Sequence, residues 1–291
     1  MSSPSLLLAL RFVGGSLFVG LGLYVAVGGL IFHLYYRRRR SEAQLWKCQP
    51  DRFPTERMQQ ADLRMGIFNL SVGSMLSGLL AYYAATGGRT GLFFSVSERG
   101  LAFTVLTALC YFLFTDLALY AAHRLYHRPR LFRMIHRVHH RNTTPTPFTA
   151  YSMHPIEFLT YEAIALVPLF FFPVYAGAAI ATLLYSNITA MIQHSGVRMS
   201  APLPWQPVTL FHDDHHKYFH VNYGQNLALW DRIFGTLRRH DRKYGAEIFG
   251  GRGAPRADTD NRHAGLPAAV VDYRGGMRVD SRAPKLDELN S

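Results

Sequence analysis

Eight histidines in three short boxes are the residues whose types and spacing point to chemistry. His123 and His127 form an HxxxH, His136, His139 and His140 an HxxHH, and His212, His215 and His216 a second HxxHH. On a helix, positions i, i+3 and i+4 share a face, so each box is expected to point its imidazoles the same way. Neutral imidazole is the commonest protein metal ligand. Eight ligands exceed the four of a tetrahedral zinc and fit two ions. A lone HxxxH arises by chance on many helices, whereas two HxxHH boxes and an HxxxH in one chain do not. Of the 14 histidines, 12 lie between positions 123 and 240. His194, between Gln193 and Ser195, suits capping or packing as well as ligation when taken singly. His154, before Pro155, has still less claim to be a ligand. His33, His220, His240 and His263 read as ordinary polar or interfacial residues.

What is missing narrows the reaction. Imidazole serves zinc, copper, iron and nickel alike. A hydrolytic zinc site needs an open position and a carboxylate base, as in HExxH, and the chain has no such motif. Two redox metals near a lipid surface suit activation of dioxygen and attack on an unactivated C–H bond. That chemistry consumes electrons. The chain has no GxGxxG after a strand and no CxxCH. With Cys48 and Cys110 as its only cysteines it has neither an iron–sulfur cluster nor a disulfide framework. Electrons must come from a partner.

The elements that position these boxes are membrane helices. Hydrophobic residues make up 49% of the 291 and charged ones 17%, below the roughly 25% usual in soluble domains. Phe12 to Tyr36, Met65 to Gly88, Gly100 to Ala122 (interrupted only by Asp116) and Ala163 to Gln193 are runs without other charged residues. Each reaches the roughly 20 residues a spanning helix needs. The sequence therefore predicts an all-α, multi-pass transmembrane bundle under a cytoplasmic, histidine-rich helical cap. The first run is too long for a signal peptide, and its positive charges follow rather than precede it. Arg37, Arg38, Arg39 and Arg40 put that end in the cytoplasm, and His123 then emerges on the same side. The expected organisation is an anchor over 1–36, a polar cytoplasmic loop over 37–64 and helices two and three over 65–122. A catalytic region follows over 115–240, with a tight or re-entrant helical hairpin at 158–193 broken by Pro168 and Pro173. The Gly-, Arg-, Asp- and Pro-rich tail, 245–291, reads as disordered. The formal charge of +12 suits anionic lipid beside the helices, and nothing supports nucleic-acid binding.

Taken together, these boxes resemble the fatty acid hydroxylase/sterol desaturase superfamily of membrane di-iron oxygenases, over about Thr115 to Thr236. Within it the chain most resembles the delta-7-sterol 5(6)-desaturases, or lathosterol oxidases. The segment from Thr144 through His154 and Pro155 is similar to theirs after the second box. The stretches His215 to Gln225 and Leu229 to Thr236 are similar to their third box and its sequel. The resemblance implies two iron ions, with zinc as a substitute when the site is misloaded, and dioxygen as co-substrate. It implies ligands at His123, His127, His136, His139, His140, His212, His215 and His216, and adds His194 as the family's isolated histidine. It also implies an electron donor such as cytochrome b5 or ferredoxin with its reductase, and a lipid or sterol drawn from the bilayer. The membrane would be the endoplasmic reticulum in a eukaryote and the inner membrane in a bacterium. The loop from Gly196 to Leu210 carries no family signal and is expected to shape the substrate entrance.

Asp116 lies seven residues before His123 on the same helix face and is expected to hold a ligand imidazole or to pair with an arginine. Asp213 and Asp214 lie between ligands and are expected either to orient them or simply to be solvated. Asn222 and Tyr223 should shape the turn after the last box, and Trp205 and Trp230 should anchor at the interface. Three functions compete: sterol desaturation; hydroxylation of a sterol methyl, fatty acyl, sphingoid, carotenoid or headgroup; and metal binding or transport. A metal hydrolase is weakened by the absent carboxylate motif. The last non-oxidase rival, transport, predicts ionisable groups spread through the spans, whereas only Asp116 lies in a run's core.

Overall fold

The computed structural model describes residues 3–201, 203, 205–239, 242–243 and 254–255. Among the described residues, three helices are long and apolar enough to cross a membrane: α1 (Ser5–Arg38), α3 (Glu56–Ala85) and α4 (Leu101–Tyr126). Their outward faces carry Leu6, Phe18, Val25, Leu106, Leu109 and Phe114, all exposed. Their inward faces bury Asp62, Asn69, Thr107 and Asp116. A helix apolar outside and polar inside is stable only where lipid replaces water. α1 and α3 pack with their backbones nearly touching, since a Cβ on Gly78 would meet Val13 Cα at 2.7 Å.

Between α1 and α3 the chain forms a single 3₁₀ turn and the short α2 (Ala43–Trp46). The predicted polar loop over 37–64 is only partly that. Lys47, Gln49 and Asp62 are buried, and α3 begins at Glu56, capped by Thr55 Oγ1 accepting from Met58 N at 3.3 Å. These groups face the cap rather than water. The first helix is likewise more than an anchor: Tyr36 Oη donates to Pro145 O at 3.0 Å and Ser195 O at 2.7 Å.

The predicted hairpin is α6 (Pro155–Leu166) and α7 (Ala176–Gln193), joined through a 3₁₀ turn, Val167–Phe170, that contains Pro168. Its tip carries β2 (Val174–Tyr175), paired in parallel with β1 (Leu92–Phe93) in the α3–α4 connection. That connection precedes α4, whose other end holds His123, so the hairpin reaches the end of the bundle opposite the histidines. At 1.5 Å per residue the 18 residues of α7 cover about 27 Å. The remaining cap helices are α5 (Pro129–Met134), α8 (Thr209–Tyr218) and α9 (Leu229–Ile233). Beyond them β3 (Arg242–Lys243) pairs with β4 (Ala254–Pro255). The rest of the expected disordered tail, with His240, His263, Pro202 and Pro204, lies outside the described residues.

Candidate metal centre

Local structure delivers each imidazole differently. His123 lies in the last turn of α4 and His127 is its C-cap. The second box is a 3₁₀ helix, His136–Arg141, rather than an α-helix. His194 caps the C-terminus of α7, and the third box lies on α8. All nine side chains are buried. They fall into two groups, His123, His127, His136, His140 and His215 in one and His139, His194, His212 and His216 in the other. Within each group the ligating atoms lie within 4.8 Å of one another. The boxes therefore do not each serve one group. On α8, His215 and His216 are separated by 100° of helix rotation, so one faces each group while His212 shares the side of His216.

Ring nitrogens meet at the middle of both groups. His127 Nε2 and His136 Nε2 are 2.9 Å apart, and His140 Nε2 and His215 Nε2 3.0 Å. In the second group His194 Nε2 lies 3.1 Å from His139 Nε2 and 2.9 Å from His212 Nε2. The outward nitrogens explain why. His123 Nδ1 donates to Tyr223 O at 2.8 Å, His194 Nδ1 to Ala190 O at 2.7 Å and His215 Nδ1 to Val221 O at 2.7 Å. His216 Nδ1 donates to Asn142 O at 3.1 Å and His139 Nδ1 to Ser152 O at 3.3 Å. His136 Nδ1 donates to the Glu157 carboxylate at 2.7 Å. A carbonyl can only accept, so the five rings that meet one carry their proton on Nδ1 and turn a lone pair inward on Nε2. His123 Nε2 and His216 Nε2 are buried with no hydrogen-bond partner.

Burial, and then the neighbouring imidazoles, hold His127, His139, His140, His212, His215 and His216 well below the usual histidine pKa. They are neutral, which is the ligating form. The inward lone pairs of His123 Nε2 and His216 Nε2 are buried without a donor, which is costly unless a cation takes them. The donor set fits a pair of metal ions.

The residues expected to orient the rings do something else. Asp116 accepts from Trp230 Nε1 at 2.7 Å and Asn226 N at 3.1 Å, touching neither an imidazole nor an arginine. Trp230 is thus an internal tie rather than an interfacial anchor, while Trp205 is exposed. Asp213 accepts from Gln49 Nε2 at 3.1 Å and Asp214 from Arg238 at 3.0 Å, so both fix α8 to its surroundings and not the rings. Asn222, at φ 57, closes the turn after the box through Phe211 O at 2.9 Å, and Tyr223 supplies the carbonyl on His123. His154 caps α6 by accepting from Ile156 N at 3.2 Å. His220 is buried beside His127 but joins neither group. The loop from Gly196 packs back on α7, with Gln193 Nε2 donating to Pro207 O at 2.6 Å.

Two acids escaped the sequence reading. Glu157 backs His136, and its only signal is an acid two residues after a Pro N-terminus in an otherwise apolar stretch. Asp62 accepts from Ser152 Oγ at 2.7 Å, Arg141 at 3.0 Å, Thr149 Oγ1 at 3.1 Å and Asn142. It ties α3 to the segment after the second box.

A cavity opens from the two groups into the bundle between α4, α6 and α7. His123, His139 and His212 form one end and Leu119, Phe158 and Leu183 its apolar wall.

Residues 108–236 match the model of the fatty acid hydroxylase family. The chain is 34% identical over 145 residues to the Delta(7)-sterol 5(6)-desaturase of Saccharomyces cerevisiae, covering 50% of this chain and 39% of that protein. It is 34% identical over 143 residues to the lathosterol oxidase of Homo sapiens, covering 48% and 47%. To a Delta(7)-sterol 5(6)-desaturase of Aspergillus fumigatus it is 29% identical over 227 residues, 77% of this chain and 64% of that one. These matches span about two fifths to two thirds of the relatives' own length. No solved structure matches.

Proposed function

We propose that the protein, whose residues 108–236 match the fatty acid hydroxylase model, is a membrane-bound di-iron oxidoreductase that oxidises a C–H bond of a lipid, with sterol desaturation as its reaction. The observation that carries this reading is two groups of buried imidazoles opening on an apolar cavity inside a membrane bundle. His123, His127, His136, His140 and His215 would hold one iron, and His139, His194, His212 and His216 the other. Such a pair, when bound and reduced, supplies the activation of dioxygen that removal of hydrogen from an unactivated carbon requires.

The chain's own residues do the rest. Carbonyls of Ala190, Val221 and Tyr223 and the Glu157 carboxylate fix ring orientation, so no rearrangement accompanies the reaction. Phe158, Leu119 and Leu183 exclude water and receive the hydrocarbon from the bilayer. Substrate placement decides between loss of a second hydrogen and hydroxylation, since small misplacements cost much rate. The sterol reading draws on the names of the relatives; the hydroxylase outcome shares the same ligand set. We place the catalytic face in the cytoplasm, on the side of Arg37 to Arg40, where a cytochrome b5- or ferredoxin-type donor has access. Residues 115–240 form the catalytic unit in this reading.

The test is metal analysis of purified protein together with lipid mass spectrometry of expressing cells. About two irons per chain and a sterol lighter by two hydrogens is the expected result. A gained oxygen would move the assignment to hydroxylation, and well-folded protein that takes up no metal would end it.

A further inference from the structure

One acid in the cavity has no part in holding the rings. Glu162 lies on α6 five residues beyond Glu157, about 7.5 Å further along the helix and away from the histidines. Its carboxyl group rests against α3 where that helix has no side chain. A Cβ on Gly73 would meet Glu162 Oε1 at 2.7 Å and Phe158 Cζ at 2.8 Å, so glycine is what leaves room for it.

The polar groups around it are taken. Tyr111 Oη donates to Ala165 O at 2.7 Å, Tyr161 Oη to Glu157 at 3.1 Å, and Thr115 Oγ1 back to its own helix at Tyr111 O, 2.9 Å away. Tyr151 Oη donates to Asn187. None of these bonds reaches Glu162, which makes no hydrogen bond among the described residues.

An ionisable group among apolar helices is expensive unless something pairs with it. Glu162, as a carboxylate, needs a donor. A hydrocarbon offers none, and a ketone or ether can only accept. An alcohol donates. We propose that Glu162 binds the hydroxyl group of the lipid substrate. The inference rests on the lipid-oxidase reading and deepens it: the hydroxyl sets how far the molecule slides along the cavity, and so which carbon faces the histidines.

The experiment measures binding rather than turnover, with the full chain in lipid nanodiscs, using a tritiated Delta(7)-sterol and its O-methyl ether. Wild type is expected to hold the alcohol at least tenfold more tightly than the ether. Glu162→Leu should bind both at the ether's affinity, and Glu162→Gln, which keeps a hydrogen-bonding amide, should retain most of the preference. Both variants should carry metal at the wild-type level, which separates loss of the hydroxyl site from misfolding. A wild type without preference, or an unchanged preference in Glu162→Leu, overturns the proposal. Turnover without alcohol preference would sink the hydroxyl site alone. Preference without any lipid oxidation would break the oxidase reading and leave the hydroxyl site standing. A wild type that binds neither compound sinks both.

Discussion

The two histidine groups are built to different standards. The larger has five imidazoles, and His136 among them is backed by a carboxylate, Glu157. The smaller has four, and the outward bonds of His139, His194 and His216 all end on neutral backbone carbonyls. A carboxylate behind a ring raises its basicity more than a carbonyl does. If each group holds one ion as proposed, the larger has a ligand to spare and a stronger donor, while the smaller has neither. One set tolerates damage and the other does not.

Substitutions can break that inequality. The largest effect is expected at His139→Ala, which leaves the smaller group with three ligands. Metal should fall from about two ions per chain to about one, turnover should vanish, and the protein should still fractionate with membranes. Full activity in this variant would remove His139 from the ligand set. Glu157→Gln comes next: metal affinity should drop about 10- to 100-fold, and titration with a chelator should show the loss in one ion only. Equal weakening of both ions would mean that the carboxylate serves the whole centre. His127→Ala should do less than His139→Ala, because four imidazoles remain in its group, and elemental analysis should still find both metals. A one-ion product would erase the distinction. The smallest effect belongs to Trp230→Phe, which removes one hydrogen bond to Asp116 at a cost of about 1 kcal/mol. Thermal unfolding should shift by a few degrees with metal content unchanged. Metal loss there would show that Asp116 acts on the rings after all.

How much of this could be read in advance depends on range. Spacings of three and four residues announced the boxes, because they are local, and the charge-free runs announced the helices. The partition of the boxes was hidden. His215 and His216 are neighbours in the chain, yet whether they serve one ion or two depends on where His140 and His194 arrive. Asp116 shows the same limit. Its helical phase relative to His123 was legible, but what faced it was the segment from Asn226 to Trp230, folded back from more than a hundred residues away. The carbonyls that orient the rings carry no sequence signature at all, since every residue has one. The buried groups between α1 and α3 were read as solvated because a short polar stretch beside a membrane usually is.

Tyr36 and Asp62 lie outside residues 108–236, yet each is fastened to the chain around the histidines. The span that the family model matches is thus narrower than the span that must be inherited together. Grafting 108–236 onto a foreign anchor would carry every imidazole and strand the partners of Pro145, Ser152 and Ser195. A working chimera would have to exchange the first two long helices along with the boxes they brace.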